Sequence, residues 1–126
     1  MYPPIAFIDI ETTGSHFERD CITEVGIKSL VNGEISVWER LLNPQVFIPQ
    51  NIQRLTGIYP QMVADQPVFQ DIARQLKEEL EGKIFVAHNA RFDYGFLKQE
   101  FKRLNMRLQA QVLCTVKLSR KLYPAE

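Results

Sequence analysis

Two carboxylates two positions apart, Asp9 and Glu11, close the short apolar run Ile5-Ala6-Phe7-Ile8-Asp9-Ile10. Side chains alternate along a β-strand with period two, so both acids project to the same face. Paired carboxylates at the edge of an apolar sheet repel one another and resist loss of water. A bound divalent cation relieves both problems, and oxygen ligands of this kind suit Mg²⁺ or Mn²⁺. Beside this stands a plainer reading, in which the strand ends at Ile8 and both acids face water.

A third acid, Asp93, sits one turn into a predicted helix between Phe92 and Tyr94 and one turn before Leu97. Near a helix N-terminus the macrodipole favours its carboxylate form, and that alone is a sufficient account of its position. Asn89 is placed to cap the same helix. His88 reads as a packed, hydrogen-bonded residue and His16, in a polar loop, as an exposed one. The sequence carries no glycine-rich phosphate loop, no Ser/His/Asp arrangement and no zinc-ligand spacing.

The elements that must position these acids follow from local pattern. The run from Ile5 to Ile10 predicts a strand buried on both faces, leaving into the turn residues Thr12-Thr13-Gly14. Ile22–Leu30 and Glu34–Leu42 are rich in β-branched and aromatic residues and are separated by Val31-Asn32-Gly33. Asn-Gly is a strong hairpin signal, because a type I′ turn needs positive φ at both central residues. A short helix is expected from Pro49 to Leu55. A longer one, Pro67 to Glu81, has Val68, Phe69, Ile72, Ala73, Leu76 and Leu80 on one face, with Asp65 before it and Gly82 after it. Lys83–His88 is a further strand. It leads into a helix whose inner stripe is Tyr94, Leu97, Phe101 and Leu104. Val112-Leu113-Cys114 is a last strand and Thr115–Tyr123 a last helix. Three antiparallel strands followed by parallel strands with flanking helices make an α/β mixed sheet, its parallel part joined by a right-handed crossover.

Composition narrows the class. Of 126 residues, 45% are hydrophobic, which excludes a disordered or collagen-like chain and fits one domain. No apolar run approaches the ~20 residues of a membrane helix, and Met1-Tyr2-Pro3-Pro4 has no positive n-region of a signal peptide. Cys21 and Cys114 are 93 positions apart without metal spacing, which points to a reducing, cytoplasmic setting. The net charge of zero hides a gradient: residues 1–82 carry −6 and residues 83–126 carry +6. The basic half, with Lys98, Lys102, Arg103, Arg107, Lys117, Arg120 and Lys121, could face a phosphate backbone or serve solubility alone.

With these features in place, Phe7-Ile8-Asp9-Ile10-Glu11-Thr12-Thr13-Gly14 resembles the first motif of the DnaQ-like (DEDD) 3′–5′ exonucleases. His88-Asn89-Ala90-Arg91-Phe92-Asp93-Tyr94-Gly95-Phe96-Leu97 resembles the second, in the form that favours the His (DEDDh) subtype. Ile22-Thr23-Glu24-Val25-Gly26 is similar to the family's second strand, Leu55-Thr56-Gly57-Ile58 to its substrate-edge loop, and Cys114-Thr115 to Tyr123-Pro124 to the strand and helix that follow. The resemblance runs through nearly the whole chain in order. It is strongest to the proofreading epsilon subunits of bacterial replicative DNA polymerase and to exonuclease domains fused to other proteins.

What the resemblance implies is an RNase H-like fold with a two-metal site. Asp9, Glu11 and Asp93 would be catalytic metal ligands for two divalent cations, Mg²⁺ or Mn²⁺. Asp9 would bridge the ions, and Glu11 would hold the one that activates water. Thr12 and Thr13 would hold the terminal nucleotide, together with Asn89, while Phe92 and Ile58 would stack or wedge against its base. The implied substrate is a single-stranded DNA 3′ end, with RNA ends also within the superfamily. The implied partners are DNA polymerase subunits or a fused nuclease or polymerase domain, with no membrane. The family's third motif, a His followed by an Asp, belongs downstream of Pro124. The expectation is therefore an exonuclease domain spanning 1–126 that is incomplete, without its C-terminal helices and third motif, and inactive by itself. The competing expectation is a nucleic-acid-binding or interaction module that keeps the fold without the chemistry.

Overall fold

Period-two burial along β1 organises the molecule. In the computed structural model, which describes residues 3–115, β1 (Ile5–Thr12) buries Ala6, Ile8, Ile10 and Thr12 and exposes Phe7 and Asp9. This corrects the expectation of a strand covered on both faces. Among the described residues, the two long helices add their apolar side chains to one core with Ala6, Ile8 and Ile10, and Phe7 points the other way.

β1 pairs antiparallel with β2 (Ile22–Val31), and β2 pairs antiparallel with β3 (Glu34–Leu41). The turn between β2 and β3 has Asn32 at φ 52° and Gly33 at φ 80°, the left-handed values that an Asn-Gly hairpin requires. On its other side β1 pairs parallel with β4 (Ile84–Ala87), which pairs parallel with β5 (Gln111–Cys114). The order across the sheet is β3-β2-β1-β4-β5, with β1 at the centre. This is the mixed α/β sheet expected.

Between β3 and β4 lie α1 (Gln50–Thr56), the single turn α2 (Pro60–Val63) and α3 (Phe69–Leu80). α1 ends where Gly57, at φ 74°, donates its N–H to the Gln53 carbonyl, a left-handed C-cap. α3 starts two residues later than expected. Its N-terminal cap comes from inside the helix: the Asp71 carboxylate accepts the Val68 N–H at 3.2 Å, so Asp65 is not needed. α3 sends Phe69, Ile72, Ala73, Leu76 and Leu80 into the core. α4 (Ala90–Arg103) adds Ala90, Phe96, Leu97 and Phe101. Phe69 and Phe101 meet edge to face at 5.1 Å, which joins the two helices. The expected helix Thr115–Tyr123 falls, after its first residue, outside the described residues.

β1 therefore ends where α4 begins, and the acids of both arrive at the same edge of the sheet.

Candidate active site

Asp9 and Glu11 leave β1 on the face away from the helical core, Asp9 exposed and Glu11 half-buried. The ladder with β2 places Asp9 opposite Gly26 and Glu11 opposite Glu24, then slips, so that Thr12 pairs with Ile22. Thr12 keeps the period-two burial of β1 through that bulge, Thr13 follows it, and both are buried. Thr12 Oγ1 donates to the Gly14 carbonyl at 2.6 Å. Thr13 Oγ1 donates to Asp20 Oδ1 at 2.9 Å and accepts the Cys21 N–H at 3.1 Å.

Asp93 approaches from α4 and is only 6% exposed. Its carboxyl is pushed up to about 7, first by burial and then by the charge of Asp9, with a smaller contribution from Glu11. The backbone N–H groups of Ile10 and of Asp93 itself work in the opposite direction. Glu11 is raised by burial, then by Asp9, then by Glu24. Glu24 is raised by burial, then by Glu39 and Asp9. The three expected acids therefore share one electrostatic field at the end of β1, and each charge there penalises the next.

Such a field fits cations bearing more than one positive charge, bound through oxygen. The acids are coupled but not drawn into a cage: among the described residues, no three His, Cys, Asp or Glu side chains are gathered closely enough to hold a metal ion.

A cleft of about 410 Å³ opens beside these acids. Glu11, Thr12, Thr13 and Phe92 form one wall, and Asn51, Ile52, Leu55 and Thr56 of α1 form the other. Phe92 is fixed from behind by Phe96, with ring centres 4.8 Å apart, and by Phe17 at 6.4 Å. Ile58 does not reach this cleft. It is 4% exposed and packs with Ile48 and Val63 in a separate small cluster. The most exposed apolar residue that α1 presents to the cleft is Leu55, 80% exposed. The expected contact of Ile58 with a base is corrected accordingly: Gly57 turns the chain inward just before it.

The two residues before α4 also depart from expectation. Asn89 stands at the N-cap position, where its carbonyl accepts the N–H groups of Phe92 and Asp93, but its side chain makes no capping hydrogen bond. His88 is exposed rather than packed, with Nδ1 2.9 Å from Thr115 Oγ1. In the basic half, Arg103 is spent internally on Glu100 and the carbonyls of Phe17 and Glu18. Lys98, Lys102 and Arg107 are exposed and line a separate cleft. Lys117, Arg120 and Lys121 lie outside the described residues.

Sequence reasoning overlooked Glu24 and Glu39. Both line a second open cleft of about 560 Å³ with Phe7, Asp9, Lys28 and Val37. The signal was present in the hairpin, whose register sets Glu24 opposite Glu11's strand position and Glu39 opposite Gly26.

A five-stranded mixed sheet, with electrostatically coupled acids from its central strand and from the helix α4 beside an open cleft, is an RNase H-like architecture. The exonuclease family model RNase_T matches residues 6–126, and the chain belongs to that family. It is 40% identical over 116 residues to a PolC-type DNA polymerase III of Caldanaerobacter subterraneus subsp. tengcongensis, covering 91% of this chain and 8% of that protein. It is 31% identical over 130 residues to DNA polymerase III subunit epsilon of Pasteurella multocida, covering 94% of this chain and 51% of the subunit. It is 39% identical over 120 residues to the 3′-5′ exonuclease DinG of Bacillus subtilis, covering 93% and 13%. Among solved structures, exonuclease X in complex with 5′ overhanging duplex DNA superposes with a TM-score of 0.75 at 28% identity, over 95% of this chain and 64% of that one. The chain spans about half or less of the length of these curated relatives. Among the described residues, no helix is long and apolar enough to cross a membrane.

Proposed function

We propose that this domain removes nucleotides from DNA 3′ ends in replication or repair, as a proofreading activity working with or fused to a polymerase in the cytoplasm. The observation that carries this reading is the electrostatic coupling of Asp9, Glu11 and Asp93 beside a cleft that Glu11, Thr12, Thr13 and Phe92 line.

Asp9, Glu11 and Asp93 are the residues that would hold two divalent cations, Mg²⁺ or Mn²⁺. When bound, such ions supply an activated water and charge compensation for the phosphate and the leaving 3′ oxygen. The chain's own residues do the rest. Phe92, braced by Phe96 and Phe17, offers a flat, sequence-tolerant surface to the terminal base. Thr12 and Thr13 line the cleft just after Glu11, where they would meet the nucleotide, and Asn89, exposed at the head of α4, would reach it. Leu55 closes the opposite wall and restricts the cleft to a frayed single strand.

The test is a single-stranded DNA labelled at its 5′ end, incubated in Mg²⁺ or Mn²⁺ with a protein that joins this domain to the family's third motif, since the domain by itself is expected to be inactive. Stepwise shortening from the 3′ end, abolished by Asp9→Ala and by Asp93→Ala, is the expected result. No shortening, with calorimetry showing no cation uptake, overturns the reading. Strand binding without cleavage selects the second reading, a nucleic-acid-binding module of the same fold.

A further inference from the structure

The turn between β1 and β2 is built around a buried acid that serves none of the site chemistry. Asp20 is 8% exposed and spends both carboxylate oxygens inward: Oδ1 accepts Thr13 Oγ1 at 2.9 Å and Oδ2 accepts the His16 N–H at 3.0 Å. The N–H groups of Arg19 and Asp20 both return to the His16 carbonyl, at 3.1 and 2.8 Å. Gly14 is required where this carboxylate passes, because a Cβ there would overlap it.

The consequence is a rigid turn that presents two basic side chains, His16 and Arg19, to the 410 Å³ cleft that Glu11, Thr13 and Phe92 also line. Arg19 is exposed and has no ion pair among the described residues. The neighbouring Asp20 is committed to Thr13 and His16, and the cleft's other charged group, Glu11, is an acid. A cation held unpaired at the mouth of a cleft that otherwise repels anions has one evident use. It can admit a phosphate to a site whose acids would turn it away.

Resting on the nucleotide-binding reading above, we propose that Arg19, with the His16 imidazole beside it, binds a backbone phosphate of the strand whose terminal nucleotide occupies the cleft. Arginine suits the task, since its planar fork matches two phosphate oxygens at once. The ligand class is thus a phosphodiester strand of at least two nucleotides. A lone nucleoside would fill the cleft between Phe92 and Leu55 without meeting Arg19.

The experiment measures binding of a short single-stranded thymidine oligonucleotide to the chain, by fluorescence anisotropy in Ca²⁺ across a salt series. Arg19→Gln is expected to weaken binding about tenfold, the worth of one charged hydrogen-bonded contact. It should also flatten the dependence of log affinity on log salt by about 0.7, the single-strand value for one lost phosphate contact. Arg19→Lys should restore the salt slope while recovering only part of the affinity. Unchanged affinity and slope in Arg19→Gln overturns the proposal, provided that Phe92→Ala still weakens binding. That second result keeps the nucleotide-binding reading alive while the phosphate contact falls. If the unsubstituted chain binds no oligonucleotide, both fall together.

Discussion

Arg103 and Glu100 form a 2.9 Å ion pair one helical turn apart on α4, and each also holds a strand or loop that lies far away in sequence. Glu100 Oε2 accepts the Ile22 N–H at 3.3 Å, at the start of β2. Arg103 Nη2 donates to the carbonyls of Phe17 and Glu18, at 3.1 and 3.0 Å. The pair clamps the β1–β2 turn onto the helix that carries Asp93 and Phe92.

Arg103→Ala removes this clamp and leaves Glu100 as an uncompensated acid in a nearly buried site. The expected cost is about 2 kcal/mol, below the full penalty for a buried pair because the guanidinium is partly exposed. Thermal unfolding followed by circular dichroism should show a fall of roughly 8 °C for a chain of this size. Glu100→Gln, which keeps an acceptor for Ile22, should cost less.

Asp93 makes the cation-free protein sensitive to pH. Its carboxyl moves from an ordinary 3.8 to about 7 on folding, so the folded state holds the proton more tightly than the unfolded state. The stability this contributes is present at low pH and is lost as pH rises through about 7. In the presence of a chelator, Asp93→Asn should therefore be more stable than the unsubstituted chain at pH 8. The margin, discounted for partial screening by solvent, is about 2 kcal/mol. It should shrink steadily towards pH 4. Urea midpoints at pH 4, 6 and 8 decide this, and an equal offset at all three would count against the cause given.

Gly95 lies under the Phe17 ring, where a Cβ would come within 2.7 Å of the ring edge. Gly95→Ala should cost on the order of 1 kcal/mol, because the displaced ring outweighs the better helix propensity of alanine. With Phe17→Ala already in place the same substitution should become stabilising by a few tenths to about 1 kcal/mol. A double-mutant cycle read by denaturant unfolding tests the sign reversal.

Cation addition should reverse the electrostatic penalty at the end of β1. With Mn²⁺ at about 100 times its dissociation constant, a single binding event stabilises the folded chain by about 2.7 kcal/mol. That gain should vanish in Asp9→Ala, although this variant should match or exceed the parent in stability when no cation is present. Differential scanning fluorimetry with and without a chelator measures both.

Much of this molecule was readable from its residues because the governing physics is local. Period two on a strand puts Asp9 and Glu11 on one face, Asn32-Gly33 demands a hairpin with positive φ, and the apolar stripes of α3 and α4 name their buried sides. The convergence of Asp93 with Asp9 is less local. It was implied by the likeness of two motifs to a known family.

Other features depended on contacts between distant segments, which no local pattern encodes. The slip between Glu11 and Thr12 arises where β2 meets β1. Ile58 was read as a base contact from its loop, yet packing with Ile48 and Val63 takes it inward and leaves Leu55 at the cleft. Arg103 looked like one more exposed cation until its partners 85 and 86 positions away came into view. Asp20, an ordinary loop acid in the chain, becomes the buried post around which the turn beside the cleft is folded. By itself the sequence determined the acids, their facing and the order of elements, since backbone sterics and side-chain periodicity act over a few residues. Only the tertiary structure decided which cations remain unpaired and which residues wall the cleft, because burial and hydrogen-bond partners are properties of the packed whole.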